Sequence, residues 1–169
     1  MCASYRTSQS RGSASFGGVS EWTATARANA SPGVLLDVLT RPEAIRHWSP
    51  VDFELEGLDG RRLAPGTRGR VTGRVAGVTV GFDVEVHAAD TERFELSAEG
   101  PVAFDVRYDM AGDDTGAELS ASVSIRRGRG LTGRLVANAT AALLAAGALE
   151  GAAGRIARVA ESHDYALAA

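Results

Sequence analysis

The chain has 169 residues, of which 44% are hydrophobic, so it is long enough to form one domain with a substantial core. Its 18 basic residues, all arginine, stand against 21 acidic residues, and both signs are mixed along the chain; this excludes the basic stripe of a nucleic-acid-binding surface. Cys2 is the only cysteine, which excludes an intrachain disulfide and a thiolate metal cluster and fits a reducing cytoplasm.

The two ends of the chain are predicted to be tails. Residues 1–19 are rich in serine and glycine, which predicts a disordered segment before a domain at residues 20–164 and a short tail at 165–169. Residues 1–19 lack the apolar stretch of a secretory signal, and residues 137–153 are too polar to span a bilayer. We therefore expect a cytoplasmic protein without membrane insertion, either a monomer or a homodimer.

The domain opens with a strand and two short helices. Residues 21–27 alternate apolar and polar side chains, which predicts a half-buried strand. Asn29 or Ser31 can cap a first helix that has a proline in its first turn. Thr40 can cap a second helix, which ends before Pro50.

The middle of the chain is predicted to form a sheet. From residue 51 to residue 126, apolar and polar residues alternate and the runs are separated by turns, most clearly over residues 78–87. This predicts antiparallel strands with one apolar face turned inward. Charged residues on two adjacent strands fall on the outward face and can form ion pairs: Arg68, Arg70, Arg74, Asp83 and Glu85.

A helical period returns over residues 131–163 and predicts one long C-terminal helix. Its stripe facing the sheet has heptad spacing and contains Leu131, Leu135, Asn138, Ala142, Ala145, Leu149, Ala152, Ile156 and Val159. Glycines 147, 151 and 154 each weaken a helix by about 1 kcal/mol relative to alanine. Their presence predicts either close packing against the sheet or a bend.

The order of these elements resembles the START/Bet v1-like (SRPBCC) superfamily, especially bacterial members labelled polyketide cyclase/dehydrase or lipid-transport proteins. The resemblance covers residues 20–163 and is carried by EWTATARANASPGVLLDVLTRPEAIRHWSP and LTGRLVANATAALLAAGALEGAAGRIARVAE. It implies an α+β helix-grip fold. In this fold a curved antiparallel sheet of about seven strands wraps around a long C-terminal helix, and two short helices lie between strands 1 and 2.

The resemblance also implies an internal pocket for a hydrophobic, polyketide- or lipid-like molecule. The expected lining residues are Trp48, Phe53, Leu55, Val71, Phe82, Val84, Phe94, Phe104, Val106, Tyr108, Leu119, Val123, Leu135, Asn138, Ala142 and Leu149. The small residues of the last helix can leave room for a ligand or can let the helix approach the sheet closely. We expect no cofactor and no metal, because the three histidines lack ligand spacing.

Catalytic members of the superfamily place a few polar groups, often an arginine, in an otherwise apolar pocket. Three side chains are candidates for such a role here: Tyr108, Asn138 and His47. Tyr108 and Asn138 lie on predicted inward positions, where a hydrogen-bonded core residue is the alternative. His47 ends the second short helix, where a surface histidine is the alternative. The sequence assigns no catalytic residue.

Three functions therefore stay open at the level of the sequence. The first is binding of a hydrophobic small molecule between the sheet and the last helix. The second is a polyketide cyclase or aromatase reaction on such a ligand. The third is a protein-interaction module with a closed pocket and an exposed apolar patch.

Overall fold

The computed structural model describes residues 20–57, 62–75, 77–126, 128 and 130–168, so the predicted tail at 1–19 lies outside it. The elements are β1 (Ser20–Ala28), α1 (Pro32–Thr40), α2 (Pro42–Trp48), β2 (Phe53–Glu56), β3 (Arg68–Val75), β4 (Val78–Ala89), β5 (Arg93–Glu99), β6 (Ala103–Asp113), β7 (Gly116–Arg126), α3 (Gly130–Ala145) and α4 (Ala148–Ala168). Helix α4 therefore continues past the predicted boundary at residue 164.

One antiparallel sheet holds all seven strands, in the order β1-β7-β6-β5-β4-β3-β2. Its register places the predicted apolar rows on one face, because Val71 pairs with Phe82, Val84 with Ala98, and Val106 with Val123. On the outward face, the predicted ion pairs form between Arg68 and Glu85 at 2.9 Å and between Arg70 and Asp83 at 3.1 Å. The predicted sheet and its two faces are confirmed.

Helices α1 and α2 cover one end of the inward face. The Ser31 hydroxyl accepts a hydrogen bond from the backbone N–H of Val34, as expected of a helix cap. The prediction that Thr40 caps α2 was wrong: Arg41 holds that position and offers no side-chain cap. The Thr40 hydroxyl instead donates to the Leu36 carbonyl and accepts from Arg62 Nε, so it stabilises the end of α1.

Helix α4 lies deep against β1 and β7, because small residues meet on both sides. Alanines fill the inward positions of these strands, and the facing side of α4 is also mostly alanine. The buried alanines are Ala24, Ala28, Ala117 and Ala121 on the sheet and Ala152, Ala153, Ala157 and Ala160 on the helix. The sequence left two explanations for these small residues, room for a ligand or close packing of the helix on the sheet. Around α4, the structure has the close packing.

The predicted single C-terminal helix is two helices, and they differ in direction by 61°. Gly147, with φ +91°, lies between them, and its N–H donates to the Leu144 carbonyl. Positive φ is a conformation that glycine adopts readily and other residues rarely do. The bend expected from the glycines is therefore at Gly147.

The part of the chain that the structure describes contains no single helix long and apolar enough to cross a membrane. Helices α3 and α4 together would meet the length and composition needed, as a bent pair.

Candidate functional site

A row of half-buried apolar side chains runs along the inward face of the sheet, on the side away from α4, and we call this row the groove. Helix α4 packs on β1 and β7, and α3 covers the end of the sheet formed by Val80, Val102 and Ile125. The apolar side chains between these contacts are half-buried: Phe53, Leu55, Val71, Phe82, Val84, Leu96, Phe104, Val106 and Val123. Except for Leu96, all of them were predicted to line the pocket.

Three aromatic side chains form the buried end of this groove beside α2. The Trp48 ring meets the Tyr108 ring edge-on with centroids 6.1 Å apart, and Phe94 stacks on Tyr108 at 6.2 Å. The Trp48 indole N–H donates to the Val38 carbonyl at 3.1 Å, which ties α2 to α1. The cluster is therefore a fixed wall rather than a set of mobile side chains.

Tyr108 is the candidate polar group that the structure places at the groove. Tyr108 is buried, and none of the hydrogen bonds among the described residues involves its hydroxyl. Burial raises the pKa of the phenol well above its usual value. Tyr108 is therefore a neutral hydrogen-bond donor and a poor base near neutral pH.

Five other predicted site residues lie elsewhere. Leu119, on β7, and Leu149, on α4, are buried in the main core. Leu135, Asn138 and Ala142 are exposed on the outer side of α3, so their predicted position facing the sheet was wrong.

Two features of α3 explain why these three side chains face away from the sheet. The bend at Gly147 removes α3 from the line of α4, so one heptad stripe no longer faces one surface. Gly133 and Val136 form the buried side of α3 instead.

His47 is exposed on the last turn of α2 and forms no hydrogen bond or ion pair with the described residues. No described residue holds its ring in a fixed orientation by a hydrogen bond, as a general base requires. The structure therefore has the alternative to a catalytic role, which is a surface histidine beside the buried Trp48.

Known structures share this architecture over nearly their whole length. Protein CV1439 from Chromobacterium violaceum is 15% identical, with TM-score 0.60, and the match covers 83% of this chain and 97% of that one. The Bet v1 allergen Ara h 8.0201 is 17% identical, with TM-score 0.55, covering 82% and 98%. A START superfamily protein from Mycobacterium smegmatis is 18% identical, with TM-score 0.51, covering 78% and 94%.

The chain has the START/Bet v1-like (SRPBCC) helix-grip fold. No family model and no curated protein matches the sequence. At these identities the likeness establishes the fold, and the function has to be argued from the side chains at the groove.

Arg155 contacts the end of α2 and was not among the residues predicted from the sequence. Among the arginines whose side chains the structure describes, it alone is half-buried. Its Nε donates to the Trp48 carbonyl at 2.9 Å, so it joins α4 to the end of α2. It forms no ion pair with the described residues.

Two shallow depressions are lined mainly by polar and charged residues, although each also includes one residue of the groove, Val84 in the first and Phe53 in the second. One, of about 530 Å³, is on the outward face of β3, β4 and β5 and is lined by Arg68, Glu85 and Glu99 among others. The second, of about 290 Å³, lies between Arg46 and the start of β2. Both are charged at their rims, which does not suit the predicted apolar ligand. The described residues hold no cluster of metal ligands.

Proposed function

We propose that the chain binds a hydrophobic small molecule, polyketide- or lipid-like, in the groove between the inward face of the sheet and the helices. The observation that carries this proposal is the half-burial of the inward apolar row, with Val84, Val106 and Val123 at its centre. In a domain whose pocket is closed, these positions would be fully covered. A hydrophobic ligand would complete their burial.

Burial of apolar surface supplies the binding energy in this proposal. At about 25 cal/mol per Å², covering a few hundred Å² contributes on the order of 5–10 kcal/mol before the cost of association. Because a groove exposes one side of its ligand, the affinity should fall below that of a sealed cavity. Micromolar binding is the expected range.

The groove also favours a ligand with an oxygen atom at one end. Tyr108 offers one neutral donor beside Trp48 and Phe94, whose rings suit an aromatic or flat body. A ligand carbonyl or hydroxyl at this position would accept the phenolic proton in a hydrogen bond. A long unbranched hydrocarbon without oxygen would gain only burial.

A cyclase or aromatase reaction is the second candidate, and Tyr108 is the observation that favours it. As a protonated phenol it can polarise a ligand carbonyl, which promotes ring closure at the neighbouring carbon. In this case Tyr108→Phe would abolish turnover and leave affinity nearly unchanged. Equal turnover in the variant would remove Tyr108 from any catalytic role.

The first experiment is native mass spectrometry of the full chain from its own host, followed by titration with a fatty acid and with a polycyclic aromatic. Val123→Glu places a carboxylate in the groove, opposite Trp22 and Val106, and should weaken binding at least tenfold. Ser122→Glu is the matched control, because it lies on the outward face opposite Arg107. The control should bind like the wild type.

The outcomes separate the three functions. Ligand binding that Val123→Glu weakens and Ser122→Glu leaves intact supports the groove. Binding that neither variant changes would place the ligand elsewhere. No binding of either ligand class, and no co-purified molecule, would favour an interaction module instead.

A further inference from the structure

The sheet ends on one side in β1, whose outer edge has no strand beside it among the described residues. In the sheet order β1 is terminal, and its neighbour is β7. Every second residue of β1 turns its backbone N–H and C=O away from β7, and these groups form no hydrogen bond with the described residues. A row of such groups is a template for another strand. The kind of partner that fits this edge is therefore an extended strand.

The two edges of the sheet differ in how well they are guarded against such a partner. The opposite edge, β2, has four residues, and two of them are glutamates, Glu54 and Glu56. By contrast, β1 has nine residues, and its nine pairs with β7 run without a bulge. Edge strands that avoid association are short, bulged, interrupted by proline or charged on their inward side. None of these features is present in β1.

The sequence of β1 is complementary to itself in an antiparallel register centred on Ala24. In this register Glu21 of one copy lies opposite Arg27 of the other. Thr23 lies opposite Thr25 in the same way, and all four side chains are exposed on the outward face. Opposite charges and threonine pairs both stabilise neighbouring strands. A shift by one residue would set outward side chains beside inward ones, and a shift by two would separate Glu21 from Arg27.

We propose that β1 is the contact surface for a second copy of the chain, whose own β1 joins it as an antiparallel neighbour. A two-fold axis at Ala24 repeats each contact, so one strand suffices for both copies. Residues that face each other in this register are both odd-numbered or both even-numbered. The backbone groups that face the edge in one copy therefore meet those that face it in the other.

The charged pair at each end of the contact is available for this role. Arg27 Nη2 donates to both carboxylate oxygens of Asp113, at 2.7 and 2.6 Å. Its Nε and Nη1 form no hydrogen bond with the described residues and can donate to the partner's Glu21. Glu21 is exposed and forms no ion pair with the described residues, so the second copy supplies its counter-charge.

Backbone hydrogen bonds supply most of the affinity in this proposal. Two nine-residue strands in this register form about eight to ten of them, and a typical protein–protein interface has about ten. Side-chain burial adds less, because the contact is about 30 Å long but only one strand wide. We therefore expect reversible association in the micromolar range rather than a permanent dimer.

The first test is sedimentation equilibrium of the full chain over a wide concentration range. The wild type should pass from monomer to dimer. Glu21→Arg and Arg27→Glu each set like charges opposite one another at both ends of the contact, and each should raise the dissociation constant about tenfold. Glu54→Arg is the matched control, because it makes the same charge change on the opposite edge of the sheet. The control should associate like the wild type.

An equimolar mixture of Glu21→Arg and Arg27→Glu chains separates lost complementarity from misfolding. In the mixed dimer every introduced charge faces an opposite one, so association should return to about the wild-type strength. A wild type that is monomeric throughout overturns the proposal. So does Glu21→Arg that associates as tightly as the wild type, or a mixture that associates no more tightly than each variant alone.

Disulfide trapping tests the register. In a Cys2→Ser background, a mixture of Thr23→Cys and Thr25→Cys chains should form crosslinked dimers readily, because these positions lie directly opposite each other. Each variant alone should form few. Equal crosslinking in the mixture and in the separate variants would contradict the pairing centred on Ala24. These results do not depend on ligand binding in the groove.

Discussion

Helices α3 and α4 share one heptad pattern and use it in opposite ways. In α4 the pattern continues as Leu149, Ala152 and Ile156, which are 5%, 3% and 0% exposed. In α3 the same pattern gives Leu131 and Leu135, which are mostly exposed. A repeating apolar stripe therefore establishes that a helix has an apolar face, but not that this face packs on its own domain.

The difference arises at the junction of the two helices. Gly147 ends α3 with a positive φ, and α4 starts in a direction 61° away. Each helix then packs by its own fit to the sheet: α4 through alanines against β1 and β7, and α3 through Gly133 against Pro101. Small residues at the contact decide the packed face in both helices.

The sharpest comparison is between two residues of the stripe that are separated by three heptads. Ile156→Ala removes a side chain that is 0% exposed and should lower the free energy of unfolding by about 2–5 kcal/mol. Leu135→Ala, in α3, should change it by less than about 0.5 kcal/mol. Urea denaturation measures both changes. Equal losses would mean that the stripe is buried in both helices.

The glycines of the junction should respond to alanine with opposite signs. Gly147→Ala forces a side chain into φ +91° and should lower the free energy of unfolding by about 1–2 kcal/mol. Gly151→Ala lies inside α4, and a Cβ there would be 3.5 Å from Arg155 Nη1, an ordinary contact. It should raise stability by about 0.5–1 kcal/mol. A stabilising Gly147→Ala would place the bend elsewhere.

The sheet was predictable from the sequence because strand periodicity fixes both face and register. Once Phe82 and Val84 point inward, Asp83 and Glu85 must point outward, and their ion pairs with Arg70 and Arg68 follow. The helical end was less predictable. Three glycines occupy similar positions in the pattern, and only the tertiary fit selects Gly147 as the break.

In the candidate site, too, the strand residues were more predictable than the helix residues. The inward positions of strand residues such as Val106 and Tyr108 were predicted from alternation, whereas their role as a pocket lining was implied by the family resemblance. Asn138 was assigned to the wrong side because its face depends on the bend. Arg155 was missed for a different reason: its hydrogen bond to Trp48 joins segments 107 residues apart, and no local pattern reports such a contact.

The smallest expected change in the free energy of unfolding comes from replacing one arginine in each of the two helices. Arg155→Met keeps the aliphatic stem but removes the donor to the Trp48 carbonyl, and should lower the free energy of unfolding by about 1 kcal/mol. Arg134→Met removes an exposed cation near the start of α3, where it opposes the helix dipole, and should raise stability by a few tenths of a kcal/mol.

The NMR signal of the Trp48 indole N–H reports the α2 end directly. It should shift in Arg155→Met, because α2 loses its tie to α4, and should stay in place in Arg134→Met. An unchanged signal and unchanged stability in Arg155→Met would mean that α2 is held by its apolar contacts alone. The hydrogen bond from Arg155 to the Trp48 carbonyl would then contribute nothing to the position of α2.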